Sequence, residues 1–446
     1  MASIIRVAKS LTTRYLGNVF FKRFVTILGV DILVKTSGFL LLPVFLRLMS
    51  QEEFGLYNYF LSIIQTFSLV LNMGLYISQT KLYHTVKTKE ERGHLFFTIT
   101  IILLSFISMV CIPIGVLGLD HSIVGFLFKE NIAYKEYREI VFLALVVTVF
   151  SFMLTNFFYT TEKIKEVKIY NVSRIVGVNL ISVLALFFVP GDSIKIRLVF
   201  GYGIEIALFI FFSYSFIKEL IPVFDKNLMK QSLRIGLPIM ISSLFGIVVN
   251  FSDKFLLQNY SSLADLSNYY LAFSFASIIA LIFNSFQNVW LPIFMKEKSI
   301  ENSVQSVSHI INKLLLFFIP ISVSIWVAFE LLIGFNIIPF KYRNAGNVIP
   351  LMLTAQLFAA FAAIFSNYLV YFEKTKLISF CGFIVSIFSI GMGVLLVPTW
   401  GIYGAAISSL AANILYFVFY YFLSKQVINR HTKKSERSVF VVNKFP

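Results

Sequence analysis

The chain has little charge and almost no cysteine. Only 13% of its 446 residues are Asp, Glu, Lys or Arg, whereas an ordinary soluble domain carries about 25%. The two cysteines, Cys111 and Cys381, lie in apolar stretches, where a small hydrophobic role is expected. The five histidines fall in loops or tails with no spacing typical of a metal site. A soluble domain, a disulfide framework and a metal centre are therefore all disfavoured.

The chain also has no long segment between its apolar stretches and no nucleotide-binding motif. None of these segments exceeds about 23 residues, and neither GxxxxGK[ST] nor HExxH occurs. An ATP-driven pump needs a nucleotide domain, and a membrane glycosyltransferase or polymerase generally needs a region that holds donor and acceptor outside the bilayer. We therefore predict that the protein is not an enzyme and uses no cofactor.

Apolar stretches recur along the whole sequence. Hydrophobic residues make up 58% of it, and about 20 consecutive apolar residues cross the ~30 Å hydrocarbon core as a helix. We predict an all-α integral membrane protein with twelve spans, the first of them a retained helix because no small-residue cleavage site follows it. The spans are approximately 24–46, 56–78, 95–117, 139–160, 167–189, 198–217, 236–258, 268–293, 312–334, 347–371, 377–397 and 401–424.

The net charge of +16 is explained by orientation in a membrane. Most of the 38 lysines and arginines lie in the segments on the side of the amino terminus, as the positive-inside rule requires of the cytoplasmic side. Both termini are therefore predicted to be cytoplasmic. A basic surface for nucleic acid is not expected, because the charges are spread over short loops.

An internal repeat indicates two halves in the same orientation. At an offset of 212, SQEEFGLYNYFLS (50–62) aligns with SLADLSNYYLAFS (262–274), and at an offset of 211, NFFYTTEKIK (156–165) aligns with NYLVYFEKTK (367–376). Six helices separate the copies, so the halves are related by an axis along the membrane normal.

This repeat predicts two six-helix lobes around a central cavity. The predicted divisions are a cytoplasmic basic amino terminus, an N-lobe of helices 1 to 6, a cytoplasmic linker, a C-lobe of helices 7 to 12 and a cytoplasmic basic tail. Their bounds are 1–23, 24–217, 218–235, 236–424 and 425–446.

Ionisable residues inside a membrane are costly and are functional candidates by default. Asp31 and Lys35 lie one helical turn apart in the first span, in the acid-before-base order that also allows them to neutralise each other. Arg174 has no carboxylate in its own span, which favours contact with an anionic ligand or a lipid head group. Asp253 and Lys254 lie close enough to a span end to reach water by snorkelling, which favours a structural role.

Further polar residues fall on single faces of several predicted helices. Helical spacing places each set on one side, which predicts the wall of a wetted cavity, although interhelical hydrogen bonds are an equal alternative. The candidate cavity-lining residues are Gln65, Asn72, Asn171, Glu205, Asn250, Asp253, Asn284 and Asn288.

Two stretches resemble a known family. LLPVFLRLMSQEEFGLYNYFLSIIQTFSLVLNMGL (41–75) and its counterpart NFSDKFLLQNYSSLADLSNYYLAFSFASIIALIFNSFQNVWLPIF (250–294) are similar to the Wzx-type polysaccharide flippases. Those belong to the multidrug/oligosaccharidyl-lipid/polysaccharide exporter superfamily, and the two-lobed, MATE-like architecture covers essentially the whole chain.

The resemblance implies a flippase of the bacterial cytoplasmic membrane. Such a carrier turns an undecaprenyl-pyrophosphate-linked oligosaccharide across the bilayer by alternating access, without ATP, for O-antigen, capsule or exopolysaccharide synthesis. Lys35 and Arg174 are the matching candidates for binding the pyrophosphate, and Asp31 for binding a coupling cation. The implied partners are the lipid-linked oligosaccharide, membrane lipids, and a polysaccharide polymerase with its chain-length regulator.

Two other functions remain open on the sequence. A cation-coupled multidrug exporter of the same superfamily would favour carboxylates and aromatics in its cavity, and Lys35 and Arg174 argue mildly against it. A membrane glycan polymerase or ligase is disfavoured by the short outer loops. The lipid II flippase branch is disfavoured because twelve helices leave no extra pair.

Overall fold

The computed structural model describes residues 38–129, 134–296 and 300–442, which contain no strand. Ten of their helices are long and apolar enough to cross a membrane. The helices are α1 Gly38–Leu48, α2 Gln51–Leu71, α3 Leu75–Tyr83, α4 Lys89–Val116, α5 Leu119–Leu127, α6 Arg138–Thr160, α7 Ile164–Phe188, α8 Ser193–Ile217, α9 Lys226–Tyr260, α10 Leu263–Lys296, α11 Ile300–Gly334, α12 Asn344–Tyr371 and α13 Thr375–Val442. The all-α integral membrane fold predicted from the sequence is confirmed.

The twelve predicted spans are consistent with these ten helices. The first predicted span starts before Gly38, and α1 is its described part. The last two predicted spans lie in the single run α13, which is interrupted by the non-helical backbone of Gly401 (φ 52°, ψ −125°). The kink falls where the sequence divides 377–397 from 401–424.

The predicted second span, 56–78, is broken in the structure. Met73 and Gly74 both have left-handed backbone angles, with φ of 53° and 66°, so α2 ends at Leu71 and α3 begins at Leu75. A Cβ on Gly74 would lie 2.5 Å from the carbonyl oxygen of Gly236. The break therefore lies where the chain of the first half touches the start of α9.

The internal repeat is visible in helix capping. Ser50 caps α2 by accepting from the Glu53 amide, while the Glu53 carboxylate accepts from the Ser50 amide. At the matching positions Ser262 Oγ accepts from the Asp265 amide at 3.0 Å, and the Asp265 carboxylate accepts from Ser262. A reciprocal cap of this kind satisfies two free amides at once. Both halves thus start their second helix in the same way.

The second aligned stretch also has one conformation in both copies. Glu162 and Glu373, which the alignment pairs, have left-handed φ of 57° and 56°. The next residue in each copy, Lys163 and Lys374, donates its amide to a carbonyl five residues back. Short 3-10 helices, Tyr134–Glu136 and Phe340–Tyr342, precede α6 and α12 in the same manner. The two lobes are parallel copies of one bundle, as predicted.

The bundle has two ends, which we name by their loops. The loop 218–225 lies at the linker face, where the Ile221 amide donates to Gly93 and Lys163 pairs with Glu219 at 3.4 Å. The loops 49–50 and 335–343 lie at the other end, the latch face, where they are hydrogen-bonded to each other. Between the ends the lobes meet along α2 with α10 and along α3 with α9.

Candidate functional site

A cavity of about 650 Å³ lies between the two lobes. Its walls come from α2 and α3 on one side and from α9 and α10 on the other, so it is formed only where the copies meet. We call it the central cavity. Its polar lining residues are Asn58, Ser62, Gln65, Thr66, Tyr76, Ser243, Asn250, Lys254, Tyr270 and Ser274. Of the predicted lining residues, Gln65 and Asn250 are in this wall.

Lys254 is the charged residue in that wall, and it is held by a buried network. Its Nζ donates to the Asn250 carbonyl at 2.6 Å and to Asp253 Oδ1 at 3.1 Å, and it lies 4.7 Å from the centre of the Phe273 ring. Asp253 also accepts a hydrogen bond from the Tyr269 hydroxyl. A buried ammonium is tolerated when it is paired and hydrogen-bonded in this way.

The expectation that Asp253 and Lys254 reach water by snorkelling is wrong. Their side chains are only 7% and 6% exposed. The reason is that α10 packs over this turn of α9, so that Tyr269 and Phe273 cover the pair. Depth along a single helix does not reveal such a neighbour.

Hydrogen bonds between the lobes close the latch face. Gln51 Nε2 donates to the Lys341 carbonyl at 2.7 Å, and Lys341 Nζ donates to the Met49 carbonyl at 3.0 Å. Arg47 donates to the Asn336 carbonyl. These bonds join the start of α2 to the loop before α12, and we call the set the latch.

Apolar packing supports the latch. The rings of Phe54 and Tyr342 meet edge to face with centroids 6.1 Å apart, and burial raises the pKa of Tyr342 to about 12, which keeps its ring uncharged in that contact. One turn deeper, a Cβ on Gly55 would lie 2.4 Å from the Leu263 carbonyl oxygen. The two lobes therefore touch backbone to backbone at this end.

Arg174 and Glu205, both predicted site residues, are paired with each other. Arg174 Nη1 lies 3.4 Å from Glu205 Oε1, across the contact between α7 and α8. Their side chains are 29% and 13% exposed, so the pair is partly open. The absence of a carboxylate in the span of Arg174 therefore did not mean that Arg174 is unpaired, because its partner comes from the next helix.

The remaining predicted residues lie in several places. Asn72 is buried at the end of α2, where its Oδ1 accepts from the Tyr76 amide at 3.4 Å. Asn171 is half-buried on α7, and Asn284 and Asn288 are exposed on α10. Asp31 and Lys35 lie outside the described residues, so their roles stay predictions.

Sequence reasoning missed Arg197, which is the other buried cation among the residues that the structure describes. The predicted sixth span began at residue 198 and placed Arg197 in a loop, whereas α8 begins at Ser193 and buries this side chain to 8% exposure. The signal was present in the sequence. Asp192 accepts hydrogen bonds from the Ile194 and Lys195 amides, and an acidic residue before an apolar run is a helix start.

A match to a known protein family shows the family to which this chain belongs. Residues 20–298 match the family described as polysaccharide biosynthesis protein. The chain belongs to this family. The resemblance drawn from residues 41–75 and 250–294 is confirmed at that level, and no curated protein sequence matches the chain.

Solved structures show the fold of this polysaccharide biosynthesis protein. An inward-facing multidrug resistance MATE transporter of the MOP superfamily superposes with a TM-score of 0.72 at 12% identity, covering 92% of this chain and 96% of that one. The lipid II flippase MurJ, inward closed, gives 0.69 at 17% identity, with 93% of each chain covered.

An outward-facing form of a MATE transporter of the same superfamily gives a TM-score of 0.62 at 12% identity, covering 92% of this chain and 96% of that one. This TM-score is lower than that of the inward-facing transporter, and all three solved structures share the fold of the present chain.

Proposed function

We propose that this polysaccharide biosynthesis protein is a flippase for an undecaprenyl-pyrophosphate-linked oligosaccharide in the bacterial cytoplasmic membrane. The linker face and both termini lie in the cytoplasm, and the latch face lies on the outside. The sugar unit enters the central cavity from the linker face and leaves after the latch opens. The product serves O-antigen, capsule or exopolysaccharide synthesis, where a polymerase and its chain-length regulator act next.

The observation that carries the proposal is the composition of the central cavity. Hydroxyl and amide groups such as Ser62, Gln65 and Asn250 suit a sugar, since each can donate and accept hydrogen bonds. Lys254 lies in this wall as an ion pair with Asp253, so that a phosphate competes with that carboxylate for the ammonium group. Tyr270 and Phe273 supply apolar rings. An anion in a low-dielectric site needs such a charged donor.

Alternating access has a structural basis in the two lobes. The latch joins them at one face by a few hydrogen bonds from side chains to backbone carbonyls, each worth about 0.5–1.5 kcal/mol. Breaking these bonds and the Gly55 contact would separate the lobes at that face without unfolding either one. Arg174 and Lys35 remain our candidates for the first contact with the pyrophosphate on the cytoplasmic side, and Asp31 for cation coupling.

A competition experiment distinguishes the flippase from a multidrug exporter. Protein in lipid nanodiscs is loaded with a radiolabelled polyprenyl-pyrophosphate disaccharide, which is then competed with the unlabelled compound, with inorganic pyrophosphate or with ethidium. We expect the unlabelled lipid and pyrophosphate to compete and ethidium to compete at least about tenfold more weakly, because the ammonium group in the wall binds an anion, whereas the nearby Asp253 carboxylate is already paired with Lys254 and is not free for a cation. Preferential binding of ethidium would support the drug exporter instead.

Replacing the two members of the Arg174–Glu205 pair is expected to affect the affinity for pyrophosphate differently. If Arg174 binds the pyrophosphate, Arg174→Gln lowers the protein's affinity for the lipid pyrophosphate by about tenfold, since a hydrogen bond between charged groups is lost. Glu205→Gln leaves the affinity unchanged or raises it, because the competing carboxylate is removed. Nanodisc competition with labelled lipid measures both, with Lys35→Ala tested alongside. Equal losses for Arg174→Gln and Glu205→Gln would mean that the pair is only structural.

A further inference from the structure

Arg197 is a buried guanidinium without a carboxylate partner in the part of the chain that the structure describes. Its side chain is 8% exposed, and its one hydrogen-bond contact joins Nη1 to the Met49 sulfur at 3.6 Å. A guanidinium has five N–H donors, and a thioether is a weak acceptor. Most of the donor capacity of Arg197 is therefore unused.

Aromatic rings hold Arg197 in place. Its Cζ lies 3.6 Å from the centre of the Phe45 ring, 3.9 Å from that of Tyr57 and 6.0 Å from that of Phe54. Cation–π contacts of this kind are attractive and are strongest when they are desolvated. They stabilise the positive charge over the ring faces and leave the edge of the guanidinium plane, where its N–H groups point, free for a ligand.

The guanidinium lines a pocket of about 340 Å³. We call it the Arg197 pocket, and its other polar lining residues are Asn58, Asn179, Ser274 and Ser277. Asn58 and Ser274 also line the central cavity, so the two spaces adjoin along α2 and α10. A molecule in the central cavity is therefore next to Arg197.

Polar residues recur along α7 and α10 from the Arg197 pocket toward the linker face, and we call them the polar track. Ser277, Asn284 and Asn288 recur on α10 at intervals of seven and four residues, which places them on one face. Asn179 and Asn171 lie eight residues apart on α7, again on one face. The pocket lies near the latch face, at the closed end of this track.

We propose that the Arg197 pocket is a second anion site, which binds an oxyanion of the transported molecule at the closed end of its path. The oxyanion is either the carboxylate of an acidic sugar or a phosphate oxygen of the lipid diphosphate, since the planar guanidinium binds both through paired N–H donors. The amides and hydroxyls around it contact neighbouring sugar hydroxyls. This inference rests on the proposed function, but the site itself is tested without transport.

The test is calorimetric titration of the full-length protein in nanodiscs with three probes: glucuronate, inorganic pyrophosphate and glucose. We expect glucuronate or pyrophosphate to bind, and we expect Arg197→Met to lower the affinity for that probe by about tenfold to a hundredfold. Arg197→Lys, which keeps the charge but not the paired donors, recovers part of the loss. If Arg197→Met loses affinity for glucuronate alone, the ligand is the sugar carboxylate. If it loses affinity for pyrophosphate, the ligand is the phosphate.

A second variant separates binding from stability. Asn179→Leu replaces a polar residue of the pocket wall by an apolar one and leaves the rings around Arg197 unchanged. We expect it to weaken binding of the same probe by about tenfold at an unchanged melting temperature. This variant decides the matter if Arg197→Met fails to fold. Wild-type protein that binds neither anion, or folded variants that bind both as the wild type does, would overturn the proposal.

The outcomes also separate this inference from the proposed function. Binding that depends on Arg197, in a protein that does not move a lipid-linked oligosaccharide, would retain the site and reject the flippase. Transport of the lipid-linked unit without any binding that depends on Arg197 would retain the flippase and reject the site.

Discussion

Lys254→Met is expected to slow transport and to destabilise the protein, whereas the double variant Asp253→Asn/Lys254→Met regains stability but not the transport rate. The single change leaves the Asp253 carboxylate buried beside Tyr269, and removing one partner of a buried ion pair costs about 3–5 kcal/mol. Removing both charges is often neutral. The double variant therefore shows whether transport needs the Lys254 charge when the stability of the fold is unchanged.

Two measurements are needed for this prediction. Thermal unfolding in detergent reports stability, and we expect a clear fall for Lys254→Met and a near wild-type midpoint for the double variant. Translocation in liposomes reports function, and we expect both to lose about tenfold to a hundredfold in rate, as for a lost charged hydrogen bond. A double variant that transports like the wild type would show that the pair only stabilises the C-lobe.

A matched control is available at the linker face. Lys163 and Glu219 form a pair with 28% and 34% exposed side chains, and such pairs contribute about 0–1 kcal/mol. Neither residue lines the central cavity or the Arg197 pocket. Lys163→Met/Glu219→Gln removes the same two charges and is expected to leave both transport and the unfolding midpoint close to wild type.

Gly55→Ala is expected to open the latch face. The added methyl group would lie 2.4 Å from the Leu263 carbonyl oxygen and 3.1 Å from the Ser267 amide. Both are backbone atoms of the other lobe, so α2 and α10 must move apart at this end. The arrangement with a closed latch is thereby destabilised relative to one in which the latch face is open.

Gly391→Ala is the control for this prediction, because here the added methyl group meets no other atom. Gly391→Ala places a methyl group in open space, with nothing within 4 Å, and a helical Gly→Ala change is favourable by about 1 kcal/mol. Helix propensity alone would therefore make both variants neutral or more stable. Only the contact between the lobes makes Gly55→Ala different.

Labelling of a cavity cysteine measures the opening. Thr66→Cys is introduced into a chain with Cys111 and Cys381 replaced by alanine, and a membrane-impermeant maleimide is added at the latch face of oriented vesicles. We expect slow labelling in the parent and in Gly391→Ala, and labelling at least about tenfold faster in Gly55→Ala, a ratio that corresponds to about 1.4 kcal/mol between the two arrangements. Equal rates in all three would contradict the closed latch.

The fold could be predicted because its causes are local in the sequence. Scarce charge and repeated apolar stretches require membrane helices, and Ser50 with Glu53 recurs as Ser262 with Asp265 because both copies need the same helix cap. The break at Met73 was missed, since a left-handed non-glycine residue is maintained by contacts with the other half and leaves little trace in composition.

The site could be predicted only in outline. Helical spacing placed Gln65 and Asn250 on polar faces, and both line the central cavity. Contacts between helices were not predictable, because the rotation of one helix against another is set by packing. For that reason Glu205 beside Arg174 was not foreseen. The depth of Arg197 was missed because its span was started five residues late.

The central claim is that a lipid-linked oligosaccharide diphosphate crosses the membrane through the cavity between the two lobes. The most direct measurement reconstitutes the protein in liposomes that carry a polyprenyl-pyrophosphate oligosaccharide on one leaflet, and follows exposure of the sugar to an added lectin on the other. The account predicts movement with the wild type and at least about tenfold slower movement with Asp253→Asn/Lys254→Met. No movement above that of empty liposomes would contradict it.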